Sequence, residues 1–235
     1  MRDSLVKPSL LWLALGLFGY LCLPWYAVQD GFWSFSWMAG LAASPEAASG
    51  AFQAARHGKW WLAVPGALLL LTAGLLWLAK TRRQIALVLL SAGALGLLYL
   101  VVQGFALGIG GWQFKSLETL FGATERAQFG IGMGAVCVLA AFLFLLTNGV
   151  AARGLLKGDL FVAGALGLCS ALVLTFTFFP VGKILLSAFH GPDGYSATAV
   201  FERLFTGRTW SLACLAGSGR CGVAWNTIFL ATLTA

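Results

Sequence analysis

Cys214 and Cys221 are the residues in this chain whose type and spacing most clearly permit chemistry. They flank the stretch CLAGSGRC, in which glycines allow a turn flexible enough to bring the two sulfurs together. On the outer face of a bacterial membrane, which borders an oxidising compartment, such a pair is expected to form a structural disulfide. The alternative interpretation is two free thiols at the membrane surface.

The other potentially reactive residues have no partner of suitable spacing. His57 and His190 are solitary loop histidines, which we interpret as solvent-facing rather than as metal ligands. Cys22, Cys137 and Cys169 lie in apolar stretches, where cysteine behaves as a small apolar residue. We therefore expect no catalytic, cofactor-binding or metal site, and the chain itself is not expected to be an enzyme.

No segment matches the phosphate-binding loop G-x-x-x-x-G-K-[ST], because Gly182-Lys183 lacks both the first glycine and the hydroxyl residue. The long apolar stretches contain no acid or base, although ion-coupled transporters usually carry such groups there. If the chain transports a solute, a partner must supply the energy. Gln103 is polar within an apolar stretch and is expected to bond a neighbouring helix rather than a substrate.

Composition places most of the chain in lipid. Of its 235 residues, 60% are hydrophobic and 10% are charged, whereas soluble domains carry about 25% charged residues. The net charge of +7 could suggest nucleic acid. However, no stripe of alternating basic and aromatic residues is present, and cytoplasmic loops of membrane proteins are enriched in Lys and Arg.

The elements that position these residues are apolar segments of membrane-spanning length, which is about 20 residues. They predict an all-α polytopic bundle with five full spans and the start of a sixth. The predicted boundaries are Ser9–Val28, Trp61–Ala79, Ile85–Leu107, Phe129–Thr147, Leu160–Pro180 and, for the partial span, Val223–Ala235.

Basic residues favour a cytoplasmic N-terminus. With that orientation, the short segments Met1–Pro8, Lys80–Gln84 and Asn148–Asp159 lie inside and carry a much higher density of Lys and Arg than the longer outer segments. The short basic turn KTRRQ, between two predicted spans, is the strongest single indication of this orientation. The predicted location is the bacterial inner membrane.

Two further patterns predict packing rather than chemistry. The glycine pairs Gly104/Gly108 and Gly130/Gly134 are spaced for close approach of helices in lipid. Aromatic residues near the predicted span ends favour an interfacial belt. These residues are Trp12, Trp25, Tyr26, Trp60, Trp61 and Trp77.

The segment LTFTFFPVGKILLSAFHGPDGYSATAVFERLFTGRTWSLACLAGSGRCGVAWNTIFLATLTA carries an ordered series of motifs. An apolar helix reaches Pro180, and the run Ser187-Ala188-Phe189 follows. An amphipathic segment then contains Phe201–Phe205, and Asn226-Thr227 opens the next helix. This series resembles the opening of the inner-membrane permease domain of binding-protein-dependent ABC importers, most closely the two-domain ferric-iron type.

The resemblance implies a division of the chain and a set of partners. Residues 1–159 would form a four-span N-terminal region, and residues 160–235 would begin the permease domain, with a periplasmic segment at 181–222. The partners would be a cytoplasmic ATPase subunit, a periplasmic solute-binding protein and the lipid membrane, without nucleic acid. Ferric iron is the first candidate solute, and thiamine, polyamines and phosphonates are alternatives.

The resemblance also implies a cytoplasmic coupling loop, and a longer protein of which this chain is the N-terminal part. The near match EAASGAFQAARHGKWWLAVP has Phe52 where the loop has glycine, and it is predicted to lie outside. We interpret it as coincidence and expect the loop downstream. Two alternatives remain: a membrane scaffold or assembly protein without transport, and a membrane thiol-redox protein, which would need a C-x-x-C pair that the sequence lacks.

Overall fold

The computed structural model describes residues 2–27, 35, 38, 47–108, 111–112, 115–122, 130–191, 194–195, 197–212, 214 and 221–234. The chain divides into two compact units, Met1–Cys169 and Ser170–Ala235. The division falls inside one long apolar helical stretch.

The described residues of the first unit that precede Leu160 form six α-helices, two 3-10 turns and one short hairpin. The helices are α1 (Arg2–Cys22), α2 (Gly50–Arg56), α3 (Ala63–Leu78), α4 (Arg82–Ala106), α5 (Lys115–Phe121) and α6 (Met133–Ala152). The 3-10 turns are Trp60–Leu62 and Leu155–Gly158. Strands β1 (Leu107–Gly108) and β2 (Gly111–Trp112) pair antiparallel.

Helix α7 (Leu160–Val173) begins in the first unit and ends in the second. A π-helical turn (Leu174–Phe178) continues it directly into α8 (Phe179–Ala188). The second unit also includes the antiparallel strands β3 (His190–Gly191) and β4 (Gly194–Tyr195), followed by α9 (Ala197–Leu204), α10 (Gly207–Trp210) and α11 (Val223–Thr234).

Among the residues that the structure describes, five helical stretches are long and apolar enough to cross a membrane, which fits an all-α, multi-pass membrane protein. They are Ser4–Cys22, Trp60–Leu78, Arg82–Ala106, Met133–Ala152 and Leu160–Leu185. Helix α11 is apolar as well, but it is shorter than a full span.

Helices α1, α3, α4 and α6 form an antiparallel bundle in which α6 makes the most extensive contacts, with α1 and with α4. Its centre is filled by side chains such as Leu69, Leu89, Val138 and Phe142, all fully buried. Because the helices alternate in direction, the start of α4 meets the end of α6. There the Arg82 Nε donates to the Ala152 carbonyl at 2.8 Å.

Glycines allow the bundle helices to approach closely, but they are not the predicted pairs. A Cβ at Gly93 would lie 2.5 Å from the Leu146 backbone nitrogen, and one at Gly149 would lie 2.7 Å from that of Leu90. By contrast, a Cβ at Gly104 or Gly130 would meet nothing within 4 Å. Spacing alone selected Gly104 and Gly130 wrongly, because it does not tell which face of a helix meets a neighbour.

Gly134 is the one glycine of the predicted pairs that the structure shows in close contact. A Cβ there would lie 2.7 Å from the Gly19 carbonyl oxygen on α1. Gly108 lies in β1, where it pairs with Gly111 of β2.

Three predicted spans end five residues or more from the helix ends seen in the structure. Helix α1 ends at Cys22 instead of reaching Val28, which is outside the described residues, because Pro24 disfavours helical geometry at the residue before it. Helix α6 continues past Thr147 to Ala152, since Asn148 is buried in the bundle. The fifth stretch continues past Pro180 to Leu185.

The aromatic belt is also only partly as predicted. Trp60 and Trp77 are exposed, as an interfacial belt requires. Trp25, Tyr26 and Trp61 are instead buried within the protein, and the Trp12 ring stacks on Phe144 at 3.9 Å between centroids. Proximity to a span end did not distinguish rings that face lipid from rings that pack under loops.

Candidate functional site

The motif residues predicted from the sequence all lie in the second unit, on either side of a small disulfide-bonded module. Cys214 and Cys221 are joined in the structure, with their Cα atoms 4.7 Å apart. Beside them, the Gly222 N–H donates to the Ser211 carbonyl at 2.7 Å. The disulfide and this bond together hold the start of α11 against the segment that follows α10.

Two tryptophans extend the module through hydrogen bonds. The Trp225 Nε1–H donates to the Trp210 carbonyl at 3.2 Å, and the Trp210 Nε1–H donates to the Leu204 carbonyl at 2.7 Å. The two indole rings meet edge to face, with centroids 6.3 Å apart. Helices α9, α10 and α11 are therefore linked through Trp210 and Trp225, neither of which was predicted from the sequence to belong to the site.

Asn226 and Thr227 lie in the first turns of α11, within the helix and not at its first residue. The helix begins at Val223, so Asn226 is its fourth residue. Its side-chain nitrogen donates to the Cys221 carbonyl at 3.3 Å, and the Thr227 hydroxyl donates to the Val223 carbonyl at 2.9 Å. Asn226 thus stabilises the turn that carries the disulfide.

Pro180 lies within the helical stretch rather than at its end. Proline lacks the N–H of an α-helix, and its ring clashes with the carbonyl four residues earlier. The preceding π-helical turn widens the helix, and the Phe179 N–H donates to the Leu174 carbonyl five residues back. The chain can therefore pass Pro180 and continue as α8.

Ser187 and Phe189 mark the point where α8 ends. The Ser187 hydroxyl donates to the Ile184 carbonyl at 2.7 Å, within the last turns of the helix. Phe189 follows α8 and has an exposed ring. Strands β3 and β4 then reverse the chain, pairing His190 with Tyr195. The structure thus has an apolar helix, a hairpin, a short amphipathic helix and a second apolar helix in this order, and the hairpin was not predicted from the sequence.

One end of the first unit is closed by loops that hydrogen-bond to each other. The Trp25 N–H donates to the Ala48 carbonyl at 3.2 Å, while the Trp25 carbonyl accepts from the Gly132 N–H at 2.9 Å. The segment after α1 thus lies between two other loops. We call these residues, 24–27, 47–62 and 130–132, the loop cap.

Lys59 is a half-buried cation of the loop cap. Its Nζ lies 4.4 Å from the centroid of the Tyr26 ring, in cation–π geometry. Burial lowers the pKa of Lys59 and raises the pKa of the Tyr26 hydroxyl. The pKa of His57 is lowered by desolvation first, and then by the charges of Lys59 and Arg56.

The loop cap also buries polar atoms that have no hydrogen-bond partner among the described residues. They are the hydroxyls of Tyr26 and Ser49 and the indole nitrogen of Trp61. Unpaired buried polar atoms cost free energy, so a water molecule or a small polar group would gain by bonding them. Outside the cap, Gln103 Oε1 is buried without a partner in the described part of the chain, which does not support the helix-to-helix bond expected for it.

The two solitary histidines, His57 and His190, lie in different kinds of local structure. His57 is exposed, as expected for a solvent-facing loop residue. His190 belongs to β3.

Comparisons with known proteins give no match for this chain, whether with protein-family models, with curated proteins or with solved structures. The function of the protein must therefore be inferred from its own residues and their geometry.

Proposed function

We propose that this chain is a membrane component of a binding-protein-dependent ABC importer in the bacterial inner membrane, with its N-terminus in the cytoplasm. The observation that carries the proposal is the motif series of the second unit. Ser187 and Phe189 stand where α8 ends, an amphipathic helix follows, and Asn226-Thr227 stand in the first turns of the next apolar helix.

The energy for transport would come from a separate subunit. The acids and bases of the five apolar helices lie near helix ends, as Lys7, Arg82, Arg83 and Lys183 do. A proton- or ion-coupled cycle would place such groups at mid-membrane. Alternation between outward-facing and inward-facing states would therefore be driven by ATP hydrolysis in a cytoplasmic partner.

The solute would arrive on a periplasmic binding protein. Ferric iron is the first candidate on the resemblance to ferric-iron permeases, with thiamine, polyamines and phosphonates as alternatives. The role of the chain would be to supply part of the translocation pathway, while the four-helix bundle of the first unit anchors that part in the membrane.

Purification from the native bacterium tests the proposal. The full protein, tagged at its N-terminus and extracted in mild detergent, should copurify with a stoichiometric ATPase subunit that contains a phosphate-binding loop. In nanodiscs, the solute-binding protein should stimulate ATP hydrolysis by that complex. A folded, homogeneous particle without an ATPase subunit would contradict the proposal and favour a scaffold.

An uptake assay gives an independent test. A strain lacking the gene should lose uptake of one of the candidate solutes, with radioactive ferric iron tried first, and the wild-type gene should restore it. Replacing Cys214 and Cys221 together by serine separates the thiol-redox alternative, since loss of a thiol-oxidase activity in that variant would support a redox role.

A further inference from the structure

Helix α9 has an aromatic face whose side chains are exposed among the described residues of the protein. Phe201 is 61% exposed and Phe205 is 74% exposed, and Leu204 beside them is 45% exposed. The two phenyl rings lie one helical turn apart, nearly parallel, with centroids 6.4 Å apart. Spacings of three and four residues place all three side chains on one side of the helix, whereas Glu202 is exposed on its flank.

This face is fixed in position relative to the start of α11. The carbonyl of Leu204, on the aromatic face, accepts from Trp210 Nε1, and the carbonyl of Trp210 accepts from Trp225 Nε1. Trp225 is the third residue of α11. Two consecutive hydrogen bonds thus connect the aromatic face to the first turn of an apolar helix.

Helix α11 has the surface of a helix in lipid. None of its described residues is buried, and its exposed side chains include Val223, Ile228, Phe229 and Leu233. The first turn of such a helix lies at the boundary between headgroups and hydrocarbon. Tryptophan is enriched at that boundary, because its ring is apolar and its N–H can be hydrogen-bonded. Trp210 and Trp225 therefore mark the level of the membrane surface.

From this geometry we infer that the aromatic face of α9 binds the phospholipids of the same bilayer, so that α9 lies flat in the interface. The rings of Phe201 and Phe205 enter the boundary between headgroups and acyl chains, and Glu202 stays in the aqueous layer. Such a helix needs a strong apolar side and a polar side, and α9 has both. A soluble partner protein is disfavoured, because the tryptophan bonds hold the face level with the membrane entry of α11.

The inference depends on the membrane character of the chain and not on the proposed transport function. Failure of the ATPase or uptake experiments would leave it unaffected. Conversely, a water-exposed α9 would leave open whether the protein belongs to an importer.

Nitroxide spin labels test the depth of α9 in the full protein. Cys22, Cys137 and Cys169 are replaced by serine, the disulfide is kept, and a single cysteine is placed at Phe201, Phe205 or, as the control, Glu202. In nanodiscs of phosphatidylcholine and phosphatidylglycerol, labels at 201 and 205 should collide severalfold more often with oxygen than with a nickel chelate. The label at 202 should show the opposite preference.

Two results would overturn the inference. Equal access of the nickel chelate to all three positions would mean that α9 lies in water. Exclusion of both reagents from positions 201 and 205 would mean that protein, not lipid, covers the face. A second variant tests the hydrogen-bonded connection: Trp225→Phe removes the donated bond and should shift the label at 205 towards the nickel chelate, whereas an unchanged depth would refute the role given to that bond.

Discussion

The side-chain nitrogen of Asn148 donates a hydrogen bond to the hydroxyl of Ser9 at 3.3 Å, joining the last turns of α6 to the first half of α1 across 139 positions of sequence. Ser9 in turn donates to the Leu5 carbonyl at 2.8 Å. Both side chains are buried. Since an apolar surrounding offers no other partners, this pair sets the register between two helices of the bundle.

Removing either partner should destabilise the bundle, and removing both should cost less than the sum. For Ser9→Ala, Asn148→Ala and the double variant, we expect a coupling free energy of about 0.6–1.7 kcal/mol, the range of interhelical hydrogen bonds in membranes. Unfolding by titration with SDS in mixed micelles measures it. Additive effects of the two single variants would show that the bond contributes nothing to stability.

Substitution of Gly93 should disturb the contact between α4 and α6, whereas the same change at Gly104 should not. In Gly93→Ala the new Cβ would lie 2.5 Å from the Leu146 nitrogen, so the helices must move apart. We expect a loss of about 1–3 kcal/mol, as for overpacked cores. Gly104→Ala, on the same helix with nothing within 4 Å, is the matched control. Equal melting temperatures for the two variants would contradict the tight α4–α6 contact.

The cysteines should fall into two classes when treated with a polymer-linked maleimide after denaturation. Of the five cysteines, three should react before reduction and all five after it, because Cys214 and Cys221 are bonded. Five reactive thiols in the unreduced protein would exclude the disulfide.

Loss of the disulfide should also loosen the module around it. For the variant with serine at both 214 and 221, we expect a local destabilisation of about 2 kcal/mol, in line with short disulfide loops. Its readout is hydrogen exchange at the Gly222 amide, which is bonded to Ser211 and should exchange roughly 30-fold faster than in the oxidised wild type. The same exchange rate in both proteins would mean that the backbone bonds alone hold the module.

Lys59 should make the stability of the loop cap depend on pH. Burial lowers its pKa below the ordinary value of 10.5, so the unfolded chain binds more protons between the folded pKa and 10.5. Stability then rises with pH across that window, and the cost of the buried charge is fully present below it. We expect Lys59→Met to raise the melting temperature most at neutral pH, with a difference that shrinks towards pH 10.5. A difference that stays constant with pH would contradict this account.

The predicted orientation is tested by reporter fusions. Alkaline phosphatase fused at Gly194 should be active, since that enzyme needs the oxidising periplasm, and a fluorescent protein fused at Arg82 should fluoresce in the cytoplasm. The expected signs follow from the density of basic residues in the short segments between spans. The reverse pattern would overturn the orientation and, with it, the periplasmic setting of Cys214 and Cys221.

The sequence predicted the approximate positions of the described long apolar helices well, because hydropathy over a span-length window reports how favourable transfer into lipid is. Trp61–Ala79 and Ile85–Leu107 differ from the helices observed there by three residues or fewer at each end. The predicted span boundaries were wrong where a proline ends a helix within an apolar stretch, as Pro24 does after α1. They also failed where a polar residue was buried by a neighbouring helix, as Asn148 was in α6.

The residues of the candidate site were also predicted only in part. The sequence selected Cys214, Cys221, Asn226 and Thr227 from type, spacing and resemblance, and these residues do lie together at the start of α11. It did not select Trp210 and Trp225. Nothing in a single sequence distinguishes a tryptophan that donates to a distant carbonyl from one that faces lipid.

By itself, then, the sequence determined that this protein is helical and fits a multi-pass membrane protein, since those properties follow from the transfer free energies of consecutive residues. Only the tertiary structure decided which glycines meet another helix, that Asn148 bonds Ser9, and that α9 is tied to α11 through two indoles. Such choices depend on which faces of separate segments come together, and that is a property of the packed chain rather than of any stretch within it.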